Sequence, residues 1–380
     1  MFTSLSLKNV RSWQEETIAL SPLTVLVGPN ASGKTTVLEV LHLLSQLAGP
    51  RHPSEVLKGW LSPDRFLRDG APELAMSVQG RSGDATFSVS YVSAIRPEGG
   101  FYQRVEWSSP GAEYKTEWHS GPESKAVGPL PWGNGEPKHP WLSELSACSF
   151  LHLDPRVLAR PSYSEDENPR IEFDGEGLAA ALAYMKLERV DDFSRIEEGL
   201  RRIVPSVRAV RLPRAKVYRN VTRSVAVDEM KTQLAGKQEF MGNRVVFETS
   251  TAANVHAAQA GEGTLLALGL ISMLTGPTHP RHALVDDIDM RLHPKAQGEL
   301  VSLLRSMMLE QRASEQFIGT THSPFFLQHL AASEVVVVSL SGAKSIAGRL
   351  SEHPEYEKWK DVMGVGEFWS FAGESWLLKK

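Results

Sequence analysis

A chain of 380 residues, 41% hydrophobic and 23% charged, has the composition of a globular protein with an ample core, enough for one large domain or two to three smaller ones. Its net charge of −4 excludes a uniformly basic nucleic-acid binder, and no run approaches the roughly 20 apolar residues of a membrane helix. The single cysteine, Cys148, excludes an internal disulfide framework; with no signal-like run over Met1 to Gln14, a cytoplasmic protein is expected.

Phe2 to Val10 and Thr17 to Leu20 alternate apolar and polar residues and predict two short strands with a turn near Arg11-Ser12-Trp13. Thr24 to Val27 then run into Gly28-Pro29-Asn30-Ala31-Ser32-Gly33-Lys34-Thr35-Thr36, which fits the P-loop pattern G-x-x-x-x-G-K-[ST]. The residue types suit a phosphate. Glycines let backbone N–H groups turn inward, and the start of a helix adds unpaired donors. Lys34 would neutralise β/γ-phosphates, and Thr35 would offer a hydroxyl to Mg²⁺. A bare glycine turn is the competing reading; the order strand, loop, Lys-Thr, helix decides for a nucleotide. Val37, Leu38, Val40, Leu41, Leu44 and Leu47 give that helix a buried face, and Gly49-Pro50 stops it.

Leu74 to Val92 alternates as a hairpin across Gly80 to Asp84. Pro97 to Trp141 is rich in Gly, Pro and Trp and predicts a β-hairpin excursion with a long loop, Pro122 to Pro140. Its Trp107, Trp118, Trp132 and Trp141 read as an apolar cluster pinning the loop, a base-stacking platform being the alternative. A strand over Ser149 to Leu153, a polar loop from Arg160 to Pro169 and helices over Gly177 to Leu187 and Asp191 to Ile203 follow. Val207 to Val221 alternates apolar with basic residues. Arg208, Arg211, Arg214 and Arg219 there are candidates for a phosphate-backbone stripe, and a solvated strand face balanced by acids is the equal alternative. Arg244 to Glu248 predicts a further strand.

Three more motifs carry chemistry. His282 to Val285 is an apolar strand ending in Asp286-Asp287-Ile288-Asp289, a Walker B pattern: Asp286 placed to hold Mg²⁺, Asp287 to polarise the attacking water. A nuclease metal cluster of Asp286, Asp287 and Asp289 is the competing reading. Gln316 to Thr321 is a strand running into His322-Ser323-Pro324, which sets His322 to reach a γ-phosphate or the attacking water. Gly261-Glu262-Gly263-Thr264 opens a long apolar helix, again an anion-binding arrangement, though a simply capped helix would look alike.

Together these residues resemble the ABC-type ATPase family, in its SMC/RecF/OLD-like branch of stand-alone ATPases from DNA repair and phage defence. The resemblance runs from Leu7-Lys8-Asn9-Val10-Arg11-Ser12 through the P-loop, the Phe173 to Ala180 helix start and Gly261-Glu262-Gly263 at the signature position. It continues through Asp286 to Pro294 at Walker B and the D-loop, and ends at Thr321 to Pro324, the switch-histidine segment. It implies an α/β ABC-type P-loop NTPase head with a β-rich ATP-binding lobe and a helical signature lobe. The expected segments are 1–155 (P-loop, with the hairpin insertion 97–141), 156–280 (helical and basic, ending in the signature) and 281–380 (Walker B, switch histidine and an aromatic tail).

By resemblance, ATP and Mg²⁺ are the cofactors, with Lys34, Asp287 and His322 catalytic. Thr35 and Asp286 hold the metal, and residues 28–36 with Asn9 and Arg11 contact nucleotide. Gly261, Glu262 and Gly263 would act on the nucleotide of another copy, so that a homo-oligomer forms around ATP. Gly261 replaces the family's serine and Asp287 its glutamate, which implies slow turnover. Gln79 and Gln103 are the candidates for the Q-loop. No heptad arm is present, and the residues after Pro324 leave no room for the nuclease domain fused to OLD proteins, so a nuclease or toxin effector is expected on a separate chain. A non-hydrolysing ATP-dependent scaffold and a RecF-like clamp on duplex DNA are the alternatives; a transporter motor fits least.

Overall fold

The computed structural model describes residues 1–97, 99–119, 128–133, 135–227, 230–276, 279–289, 292–309 and 315–379. The loop expected at Pro122 to Pro140 therefore lies partly outside the described residues, as do Met290 and Arg291 of the D-loop segment. Two compact units divide the chain: residues 1–151, 280–289 and 304–380 in one, residues 152–279 and 290–303 in the other.

The first unit holds two six-stranded sheets. One runs in the order β2 (Trp13–Ala19), β1 (Phe2–Val10), β4 (Glu73–Ser82), β5 (Ala85–Ile95), β6 (Phe101–Ser109), β7 (Ala112–His119), each neighbouring pair antiparallel. Its strands bury alternate residues, such as Leu74, Met76 and Val78 on β4, as a sheet covered on one face requires. A short pair, β8 (Trp132–Gly133) and β9 (Glu136–Pro137), lies beyond it in sequence. The other sheet runs β10 (Cys148–Leu151), β16 (His282–Val285), β17 (Gln316–Thr321), β3 (Leu23–Val27), β18 (Val335–Ser341), β19 (Lys344–Arg349). Its first five strands are parallel, and every residue of β3, β16 and β17 is buried, as in a sheet covered on both faces. The helix Lys34–Leu47 packs against strands of both sheets, so one core spans sheet, helix and sheet.

That helix ends inside the core, where its last carbonyls need donors. Trp107 Nε1 donates to Leu47 O at 3.0 Å and Trp132 Nε1 to Ala48 O at 2.8 Å. Trp107, Trp118 and Trp141 are buried and Trp132 packs on the same core, so the four tryptophans pin the hairpin region and offer no platform for bases. In the tail, Phe368 and Trp376 are buried with the His353 ring against both, while Phe371 is exposed.

The second unit centres on the helix Glu262–Thr275, apolar almost all round and buried from Leu265 to Ser272. The helix Val190–Ile203 lays Phe193, Ile196, Leu200 and Ile203 inward, with Gly199 facing Ile271 and Leu303, and carries Asp191 and Asp192 in its first turn and Arg201 and Arg202 in its last, complementing its dipole. The alternating stretch Val207 to Val221 falls on two strands, β11 (Val207–Arg211) and β12 (Arg214–Val227), interrupted at Leu212-Pro213 because proline lacks a ladder donor. Strand β12 pairs along its length with β13 (Met230–Asn243) as a two-stranded ribbon, and β11 joins β14 (Val246–Thr249) and β15 (Val255–His256).

One buried group makes the first unit acid-sensitive. His282, at the start of β16, is 1% exposed and stacked on Phe2 at 4.4 Å. Burial, aided by the positive amino terminus and Arg281, pushes its imidazole down to about 3 from 6.5. The native state therefore keeps it neutral while the unfolded chain takes up a proton below about 6.5. Stability is full above that pH and falls by up to about 1.4 kcal/mol per unit as pH drops toward 3. Thermal melts at pH 7 and pH 4.5 should show the loss, and His282→Met should reduce it, leaving the part due to His42, whose buried imidazole is likewise pushed down to about 4; an unchanged acid limb in that variant would assign the sensitivity elsewhere.

Candidate nucleotide site

The site forms at the carboxyl ends of β3, β17 and β16, where open parallel sheets leave a crevice. From Gly28 the chain turns back on itself at positive φ: Gly28 at 151°, Ala31 at 61° and Gly33 at 98°, the last capping the helix Lys34–Leu47. Lys34 Nζ donates to Gly28 O at 3.0 Å and Pro29 O at 2.7 Å, an ammonium held at the centre of the loop. Burial pushes its pKa down, against the pull of the Asp287, Asp286 and Glu374 carboxylates.

Residues outside the motif brace the loop. Trp13 Nε1 donates to Gly33 O at 3.2 Å, and Ser345 Oγ reaches Ser32 O at 2.7 Å and Ser12 Oγ at 2.6 Å. Ser345 carries no signal in the sequence, a lone serine near the start of a strand being ordinary; its role, like the bracing role of Ser12, follows from β19 meeting the β1–β2 turn, where Ser345 N donates to Ser12 O at 2.8 Å. The β1–β2 turn is tighter than expected, with Val10 paired to Trp13 and Asn9 and Arg11 at φ 54° and 50°. It presents Arg11 to the helix, where Nη1 donates to Thr36 Oγ1 at 3.1 Å and pairs with Glu39.

On the other wall, Thr35 Oγ1 lies 3.2 Å from both carboxylate oxygens of Asp286, and Thr320 Oγ1 donates to Asp286 Oδ1 at 2.6 Å. Asp287 is at φ 51°, a strained position for a residue with a Cβ. Asp289 accepts from Thr321 Oγ1 at 3.1 Å, and burial raises its carboxyl pKa.

Arg11, Ser12, residues 30–36, Asp286, Asp287, Thr320 and His322 line one cleft of about 460 Å³. Lys34, Asp287, His322, Thr35 and Asp286 thus share it. Asn9 does not line it: its Nδ2 is turned to Glu73 O at 3.0 Å, because β1 pairs with β4 there. Gln79 and Gln103 are absent from the lining as well, and Gln103 is buried, accepting from Tyr91 OH at 3.0 Å.

The donor set suits Mg²⁺. A hydroxyl and a carboxylate supply hard oxygens, and an ion that keeps its waters and binds substrate phosphates needs no more from the protein. Among the described residues no group of three His, Cys, Asp or Glu side chains is placed to hold a metal ion.

In the second unit, Gly261 caps the helix Glu262–Thr275 with no side-chain bond. Gly261, Gly263 and Thr264 line a cleft of about 520 Å³ with Arg202, His293, Lys295 and Glu299. The basic stripe is paired in part: Arg211 with Glu248 at 2.5 Å, and Lys216 with Glu239 at 2.9 Å. Arg219 donates to Tyr163 O at 2.6 Å. Arg208 is exposed, and so is Arg214 at the start of the ribbon.

Known proteins place this architecture. The family described as "AAA domain, putative AbiEii toxin, Type IV TA system" matches residues 23–328. The OLD nuclease of Thermus scotoductus is 22% identical over 347 residues, 86% of this chain and 60% of that protein. The DNA replication and repair protein RecF of Chloroflexus aggregans is 36% identical over 90 residues, and the Septu protein PtuA of Bacillus thuringiensis 28% identical over 92, each match covering 22% of either chain. The chain thus spans under a quarter of those two relatives and 60% of the OLD nuclease. An SMC head solved in complex with the C-winged helix domain of ScpA superposes over 92% of this chain and 99% of its own, with a TM-score of 0.51 at 15% identity, and shows the shared fold. Among the described residues no helix is long and apolar enough to cross a membrane. The chain belongs to this AAA domain family and is an ABC-type ATPase of the SMC/RecF/OLD branch.

Proposed function

We propose that the protein binds Mg-ATP, hydrolyses it slowly and assembles into a dimer or higher oligomer around it, and that this cycle regulates a separately encoded nuclease or toxin in bacterial antiphage defence. The observation that carries the chemical part is the meeting of Lys34, Thr35, Asp286, Asp287 and His322 in one cleft. Thr35 and Asp286 would hold Mg²⁺, which would supply charge neutralisation at the β/γ-phosphates. Lys34 would bind those phosphates, Asp287 would orient and polarise the attacking water, and His322 would donate to the γ-phosphate. Asp287 is one methylene shorter than the family's glutamate, and its strained backbone fixes where its carboxylate can reach; slow turnover follows. Gly261, Glu262 and Gly263 of one copy would contact the nucleotide of another through backbone donors. The defence role rests on the resemblance and on likeness to an OLD nuclease and a Septu protein.

The test is ATP turnover alongside size by light scattering, for wild type and Asp287→Ala. Slow turnover in wild type, lost in the variant as an ATP-bound oligomer accumulates, is the expected result. ATP-dependent assembly with no turnover in wild type would replace hydrolysis with the scaffold reading. A duplex-DNA clamp is the weaker alternative, since Glu239 and Glu248 already occupy two of the basic side chains.

A further inference from the structure

Thr320 lies one residue past the last ladder pair between β16 and β17, Val285 with Gly319. It is 1% exposed, yet its hydroxyl has two partners. Oγ1 donates to Asp286 Oδ1 at 2.6 Å and accepts from Asp287 N at 2.9 Å, while its own carbonyl accepts from Ile288 N at 2.8 Å. The geometry is not interchangeable with simple packing. A hydroxyl has one proton and free lone pairs; here the proton goes to one aspartate and a lone pair to the amide of the next.

Two consequences follow. Asp286 has one oxygen spoken for, which fixes its rotamer and leaves Oδ2 beside Thr35 Oγ1. Asp287 sits at φ 51°, a conformation that persists only where its surroundings over-determine it, and the Thr320 side chain and carbonyl clamp the turn on both of its amides. There is no slack nearby: a Cβ on Gly319 would come within 3.2 Å of Val285 O and Ile288 Cδ1.

We propose that Thr320 is a positioning residue for both Walker B aspartates, aiming the carboxylate of Asp286 at the metal position and holding the turn that aims Asp287 at the attacking water. This rests on the Mg-ATP reading of the cleft. Sequence could not single it out, since a threonine in a strand is ordinary; only the pairing of β17 with β16 puts its hydroxyl between the two aspartates.

The experiment compares Thr320→Val, which keeps the shape and removes the hydroxyl, with Thr320→Ser, which keeps the hydroxyl. Two readouts are taken. Hydrogen exchange across residues 286–289 is measured without nucleotide or metal, and Mg²⁺ is titrated into a fluorescent ATP analogue bound to the protein. In Thr320→Val, exchange across 286–289 should quicken and the Mg²⁺ midpoint rise about 10-fold or more, the usual cost of losing an outer-shell partner, with metal-free analogue affinity unchanged. Thr320→Ser should follow wild type in both. Wild-type behaviour of Thr320→Val in both readouts, or equal damage in the two variants, would overturn the proposal. Failure of wild type to bind the analogue would sink the Mg-ATP reading instead, and the exchange comparison would still decide whether the hydroxyl holds the turn.

Discussion

Lys34→Met is expected to weaken nucleotide binding by one to two orders of magnitude without weakening the nucleotide-free protein. Lys34 is 6% exposed, and its ammonium is satisfied only by the carbonyls of Gly28 and Pro29, which solvate it less well than water would. Burial accordingly pushes its pKa down, even with Asp286 and Asp287 opposing. Removing the charge relieves that cost and loses two hydrogen bonds, effects of opposite sign that leave the melting temperature without ligand near wild type. In the presence of phosphates the balance reverses. A charge-assisted bond is worth roughly 1.5–3 kcal/mol, so losing Lys34 weakens ATP binding by about 10- to 100-fold. Because a ligand stabilises only as far as it binds, the ATP-induced rise in melting temperature should shrink markedly in Lys34→Met at the same ATP concentration. A variant that keeps most of that rise would show that the loop amides, not Lys34, carry the phosphate affinity.

What was legible in the sequence was whatever is local. The P-loop, the strand ending in Asp286-Asp287 and the strand ending ahead of His322 each carry their chemistry within a few residues, and β3 and β16 read as strands because full burial favours mostly apolar runs. What escaped depends on distant pairing. The ribbon strand β13 is mostly polar, so its alternation gives no core-facing period, and only its register with β12 defines it. The position of Asn9 beside Glu73 rather than in the cleft follows from the pairing of β1 with β4, and residue spacing cannot foresee it. Ser12 and Ser345 are more than 300 residues apart in sequence, yet their hydroxyls meet under the P-loop.

The site also concentrates strain. Among the described residues the non-glycine positions at positive φ are Asn9, Arg11, Ala31 and Asp287, and three of them line the cleft. Each costs of order 1–3 kcal/mol, which is tolerated where neighbouring bonds over-determine the backbone. Trp13, Ser345 and Arg68 supply such bonds around the first three: Arg68 Nη1 donates to Arg11 O at 3.2 Å and Ser12 O at 3.0 Å, tying the β1–β2 turn to the chain before β4. The P-loop is thus held from outside, by side chains that never face the nucleotide cleft.

Gly28→Ala should damage both the fold and nucleotide binding. An added Cβ would sit 1.9 Å from Val338 O and 3.0 Å from Val338 C, on a backbone at φ 151°. Val338 belongs to β18, which pairs with β3 on one side and β19 on the other, so its carbonyl cannot retreat without breaking ladders. The loop must move instead. Overpacking costs typically 1–3 kcal/mol, and a shift of even an ångström in the loop amides misplaces the donors on which phosphate binding depends. Gly33→Ala meets only the ends of the Trp13, Ser345 and Ser12 side chains, at 2.7, 2.9 and 3.0 Å, and should be milder for the fold. Gly83→Ala is the control, with φ 56° in open space, and should cost only the backbone term of roughly 1–2 kcal/mol. Denaturant melts and ATP-analogue titrations of the three variants should rank Gly28 worst in both measures. Equal stability loss for Gly28→Ala and Gly83→Ala would show that β18 yields, and that the P-loop is less firmly braced than its contacts imply.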